Sequence, residues 1–103
     1  MDGQQMENKD YEIILKPQSQ DGNLSFQNAY CVMTSHFAQT FGNKAEQIML
    51  TAKKMVEETY HDNADYFQSF VYTDAKINRK FWLICDEHAD GLLVLTAMLP
   101  EDY

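Results

Sequence analysis

The spacing of apolar residues changes once along this chain, and that change restricts the folds open to it. Ala45, Ile48, Met49, Ala52, Met55, Val56 and Tyr60 recur every three or four positions, so they line one face of a helix. Lys44, Glu46, Lys53, Lys54, Glu57 and Glu58 fall mostly off that face. Asn43 followed by Glu46 resembles a capping box, and the spacing predicts a helix over 43–60. Beyond it the pattern turns aromatic and β-branched in "YFQSFVYT" (66–73), "RKFWLIC" (79–85) and "LLVLTAML" (91–98). The turns "DAKIN" and "DEHADG" separate these runs, and Pro100 stops the last. They read as a three-strand meander.

The first half is less regular. Residues 1–9 are polar and are expected to be a flexible N-terminus, leaving 10–103 as a single small domain. "YEIILK" (11–16) reads as a strand stopped by Pro17, and "QSQDGN" (18–23) as a loop. Two readings fit 24–41. Phe26, Ala29, Tyr30, Met33 and Phe37 have helical spacing, which would give a helix over 25–41 ended by Gly42. "AYCVMT" instead suits a buried strand over 28–34 followed by a short helical turn, and this is the preferred reading. The expected fold class is α+β, one main helix packed on a mostly antiparallel sheet.

A chain of 103 residues supports one core. No apolar stretch reaches the length of a membrane span, and "MDGQQMENKD" lacks the basic and apolar regions of a signal peptide. The expected location is the cytoplasm of a bacterial host, where Cys31 and Cys85 remain thiols.

Formal net charge is −8, which opposes direct binding to nucleic acid and favours a protein partner with a basic surface. The charge is uneven: 1–42 carry −3, 43–80 are neutral and 81–103 carry −5. A hairpin of 66–73 with 79–85 would set Tyr66 beside Cys85. Glu57, Glu58, Asp62, Asp65, Asp86, Glu87 and Asp90 would then share one edge, the candidate partner-binding surface. Lys76, Arg79 and Lys80 would lie at the other end, near Glu101 and Asp102. Glu57 and Glu58 also oppose the dipole of a helix C-terminus, unless Lys53 and Lys54 pair with them. The aromatics that an exposed apolar patch would use are Tyr66, Phe67, Tyr72 and Trp82.

Each cysteine has a histidine nearby: Cys31 with His36, and Cys85 with His88. Two thiolates and two imidazoles suit one structural Zn2+ with no open coordination position, and His61 is a substitute ligand. The competing reading makes both cysteines small buried hydrophobes. No phosphate-binding glycine loop or nucleophile elbow is present, and the only enzyme-like arrangement is Cys85 with His88 or His61. The chain is therefore read as non-enzymatic.

A small, very acidic, single-domain α+β chain without a catalytic motif resembles the inhibitor proteins of phages and mobile elements, anti-CRISPR proteins above all. "FWLICDEHADGLLVLTAMLPEDY" (81–103) also resembles the C-terminal strand and acidic tail of small proteins from Gram-positive bacteria and their mobile elements. The resemblance implies an inhibitor of a Cas9-type effector, which holds nucleic acid in positively charged channels. The alternative is a small structural or regulatory adaptor, zinc-stabilised or dimeric, unrelated to nucleic acid.

Overall fold

The computed structural model describes residues 5–7 and 10–103. Its strands are β1 (Gln5–Glu7), β2 (Tyr11–Leu15), β3 (Tyr30–Met33), β4 (Phe67–Asp74), β5 (Asn78–Glu87) and β6 (Leu93–Met98). Its helices are α1 (Ser35–Phe41) and α2 (Ala45–Tyr60). The fold is α+β: one sheet in the order β1-β2-β4-β5-β6-β3, with the helices on one face. Every neighbouring pair is antiparallel except β3 with β6. Residues 1–4 and 8–9, where a flexible end was expected, lie outside the described residues. Gln5–Glu7 departs from that expectation, because it pairs with β2.

The main helix follows its stripe: Ala45, Ile48, Met49, Ala52, Met55 and Val56 are all buried. Its start differs from the expected one. Gly42 ends α1 at φ 58°, ψ −133°, a left-handed conformation that favours glycine, and its N–H bonds to Ala38 O. A 3-10 turn over Gly42–Lys44 then leads into α2. The residue before α2 is Lys44, already in a helical conformation and with no side-chain cap, so the capping box expected from Asn43 and Glu46 does not form.

The ambiguous segment resolves as strand followed by helix. Tyr30 and Val32 face away from the helices, while Cys31 and Met33 pack against the core. Thr34 makes the switch. It is extended (φ −71°, ψ 156°), and its Oγ1 accepts the Phe37 N–H at 3.1 Å, which caps α1.

The meander forms with registers Phe70↔Phe81 and Leu83↔Ala97. Side chains alternate across the sheet, so Phe70, Tyr72, Phe81, Leu83, Cys85, Leu95 and Ala97 enter the core. Phe81 stacks on Phe70 (centroids 4.9 Å, 7° between planes) and meets Phe37 and Phe41 edge-on. Gln68 is the one fully buried polar side chain among the described residues. Its Nε2 donates to Gln20 Oε1 at 2.7 Å and to Asp65 O at 3.1 Å, which ties the 18–23 loop to the start of β4. Gly22 allows that approach: a Cβ there would lie 2.2 Å from the Ala64 carbonyl oxygen. The loop continues into a backbone bridge between Leu24 and Ala64.

Candidate functional site

The residues expected to bind zinc do not converge. Cys31 and Cys85 both pair with Leu95, one from each side, so two strand spacings separate them. That sets their Cα atoms about 10 Å apart, with a buried Leu95 between. Two thiolates on one zinc each sit about 2.3 Å from the metal, which this spacing does not allow. His36 lies beyond the C-terminal end of β3, where its Nδ1 meets Asp102 Oδ1 at 2.9 Å. His88 lies at the opposite end of the sheet, in the turn after β5, where its N–H bonds to Leu92 O. His61 is exposed at the end of α2. Spacing along the chain suggested that the four expected ligands lie together, whereas the sheet register sets them apart in this structure. Among the described residues, no group of three or more His, Cys, Asp or Glu side chains is placed to hold a metal.

The Cys85 thiol is buried, as the competing reading has it, while Cys31 is only partly buried. Burial, with Asp86 and Glu87 nearby, pushes the Cys85 thiol up to about 11. Burial also raises Cys31; Lys53 partly opposes this and Glu57 adds to it. A thiol held protonated at neutral pH is a weak nucleophile.

The acidic residues do converge. The Cys85 N–H donates to Tyr66 O at 2.8 Å, as the hairpin requires. The end of α2, the His61–Asn63 turn, the start of β4 and the turn between β5 and β6 thus meet at one end of the sheet. Within this group three carboxylates have structural tasks. Glu57 pairs with Lys53 at 3.1 Å, the i,i+4 partner anticipated from the sequence. Asp65 Oδ1 accepts the Tyr66 N–H, and Asp90 Oδ1 accepts the Leu92 N–H, each shaping a turn. Glu58, Asp62, Asp86 and Glu87 are exposed and have no partner among the described residues. Asp21 was missed: Gly22 packs on Ala64 and Asp65, so the 18–23 loop brings Asp21 to the same end. An open groove of about 500 Å³ lies here, lined by Asn23, Ser25, Asn28, Glu87 and Leu92 among others.

At the far end the acids are neutralised. Arg79 Nη2 meets Glu101 Oε2 at 2.8 Å, and this hydrogen bond holds the Glu101 carboxyl below its usual range. Asp102 accepts from Thr34 Oγ1 and from the Leu99 N–H, and faces His36. Burial pushes the Asp102 carboxyl up, but these bonds outweigh it and hold it low. Glu101 and Asp102 are thus paired, whereas Glu58, Asp62, Asp86 and Glu87 cluster unpaired at the other end; Glu46, at the start of α2, is a lone exposed carboxylate away from that cluster.

A second surface was only partly legible. Among the described residues no helix covers the other face of the sheet, where Phe67, Trp82, Ile84, Val94 and Met98 lie. Phe67 and Tyr103 both meet Trp82 edge-on, at 4.9 and 5.9 Å, and Tyr66 meets Phe67. Of the four aromatics expected in a patch, Tyr72 is a correction: it is 2% exposed and belongs to the core. Tyr30 and Tyr103 take part instead. Alternation along 66–73 separates Tyr72 from Phe67 once one core residue is fixed.

Comparison with protein-family models, curated proteins and solved structures finds no match for the chain.

Proposed function

We propose that this chain is a non-enzymatic binding protein whose acidic end engages the basic surface of a protein that handles nucleic acid. One observation carries the reading: Glu58, Asp62, Asp86 and Glu87 stand unpaired and exposed together, while Glu101 and Asp102 at the far end are paired. Unpaired carboxylates of one sign attract a cationic surface and speed encounter with it. A net charge of −8 disfavours nucleic acid itself as the ligand. The resemblance to phage inhibitors points to a Cas9-type effector, whose cationic channels match such a surface. No helix among the described residues is long and apolar enough to cross a membrane.

The test is association kinetics against Cas9-type effectors, with a DNA-cleavage readout. Asp62→Lys and Glu87→Lys are each compared with Glu46→Lys, an equal charge change at the opposite end of α2. The first two are expected to slow association by about tenfold at low salt, with the difference closing as salt rises. Equal rates for all three variants, or no effector bound by the wild-type chain, would overturn the proposal.

The uncovered aromatic face favours a second reading, an adaptor that docks through the sheet. Trp82→Ala would then abolish partner binding, and Asp62→Lys would leave it unchanged.

A further inference from the structure

The strand β3 ends the sheet, and no other strand among the described residues pairs with its free side. The Thr34 N–H donates to Ala97 O, so Thr34 and, two residues earlier, Val32 direct their backbone groups at β6. By the same alternation Cys31 and Met33 direct theirs outward. No hydrogen bond among the described residues takes up those outward groups. Edge strands are usually blunted by charge, proline or a bulge. β3 reads Tyr-Cys-Val-Met and has none of these. Tyr30 and Val32 are 62% and 37% exposed beside it.

We infer that a second copy of this chain docks on the edge of β3, antiparallel about a two-fold axis at Val32, joining the two sheets into one. The register follows from the edge itself. Centring on Val32 lets Cys31 and Met33 of one copy exchange both their N–H and C=O groups with Met33 and Cys31 of the other. Centring on Cys31 would require Ala29, whose N–H already bonds to Phe26 O. Centring on Met33 would require Ser35, which belongs to α1. The Val32 register alone uses every outward group.

Charge selects the same arrangement. Tyr30 lies across Val94 from Asp86, so β3 begins at the acidic end and finishes near His36 and Arg79. Antiparallel docking places the two acidic ends at opposite corners of the pair. Each then lies beside its partner's neutralised end and away from the other acidic end, which lowers self-repulsion. The axis is perpendicular to the sheet, so both uncovered faces lie on one side and Tyr30 of each copy extends over the other.

Sedimentation across a wide concentration range tests this. The expected mass is about twice the 12.0 kDa of one chain. Val32→Lys sets two like charges face to face, about 4.5 Å apart at Cα, and is expected to weaken the dimer by about tenfold or more. Val32→Cys, with Cys31→Ser to remove the neighbouring thiol, is expected to cross-link under mild oxidation, because that separation falls within the disulfide range. Leu92→Cys, in the same background and distant from the axis, is not. A wild-type chain that stays monomeric would overturn the inference. So would a dimer that Val32→Lys leaves intact and Val32→Cys fails to cross-link, since that places the interface elsewhere.

Discussion

Phe81 and Trp82 are neighbours in sequence and point to opposite faces of the sheet, so paired alanine substitutions measure what each face does. Phe81 is fully buried and meets Phe70, Phe37 and Phe41 within 6 Å. Truncating such a ring leaves a cavity that the surrounding aromatics fill poorly, at a cost of about 3–5 kcal/mol. Domains of this size have a total stability of about 5–15 kcal/mol, so Phe81→Ala removes a large part of it. The melting temperature should fall by at least about 12 °C, taking the lower cost and about 4 °C per kcal/mol. Trp82 keeps two edge-on partners, Phe67 and Tyr103, on a face with no helix over it. Losing both pairs costs about 1–3 kcal/mol, because each is worth about 0.5–1.5 kcal/mol. Thermal and urea unfolding followed by circular dichroism would separate the two variants. A loss for Trp82→Ala that equals or exceeds that for Phe81→Ala would refute the facing of β5, because a one-residue slip exchanges every side chain between core and solvent.

Other expectations test single features. Gly22→Ala places a methyl group against the Ala64 carbonyl oxygen, which is backbone and cannot move aside cheaply. It should loosen the Leu24–Ala64 bridge, seen as faster hydrogen exchange at both amides. Asp74 accepts from Tyr72 Oη, Ile77 N–H and Lys76 N–H, and these bonds hold its carboxyl down to about 2. Its folded pKa lies below the ordinary 3.8, so its stabilising effect is complete above that value and is lost as pH falls towards 2. Asp74→Asn should therefore flatten the acid limb of the stability profile, and an unchanged limb would disprove the role. At neutral pH the half-exposed Cys31 should alkylate faster than the buried Cys85, whose thiol sits near 11; mass spectrometry of peptides after brief iodoacetamide treatment reads the order directly.

What the sequence disclosed depended on how far apart the interacting residues lie along the chain. The α2 stripe and the meander are local patterns, and both formed where periodicity placed them. The acidic end followed from the hairpin alone, since pairing β4 with β5 brings Tyr66 to Cys85. Thr34 was decisive in the ambiguous segment, because a capping oxygen lets a strand become a helix within one residue. The capping box failed for an equally local reason. Gly42 terminates α1 just ahead, and the resulting 3-10 turn makes Lys44 helical before Asn43 can act as a cap. The four expected metal ligands lie apart because spacing along a strand does not give direction. Cys85 faces the core, whereas His88 lies past the strand end, and Cys31 is held a full strand beyond Leu95.

The pairing of β3 with β6 joins residues more than sixty positions apart, and no local pattern announces it. That contact nevertheless governs much of the molecule's surface. It makes β6 an interior strand, which accounts for its nearly continuous apolar sequence. It leaves β3 as a terminal strand with outward backbone groups and no protecting charge. It also extends the uncovered face from Trp82 through Met98 and Thr96 to Val32. The acidic end depends instead on the β4–β5 hairpin, in which β3 takes no part. The free edge and the breadth of the aromatic face both rest on the β3–β6 pairing. The acidic end is thus largely a product of local sequence, and the edge for self-association is a product of one long-range pairing.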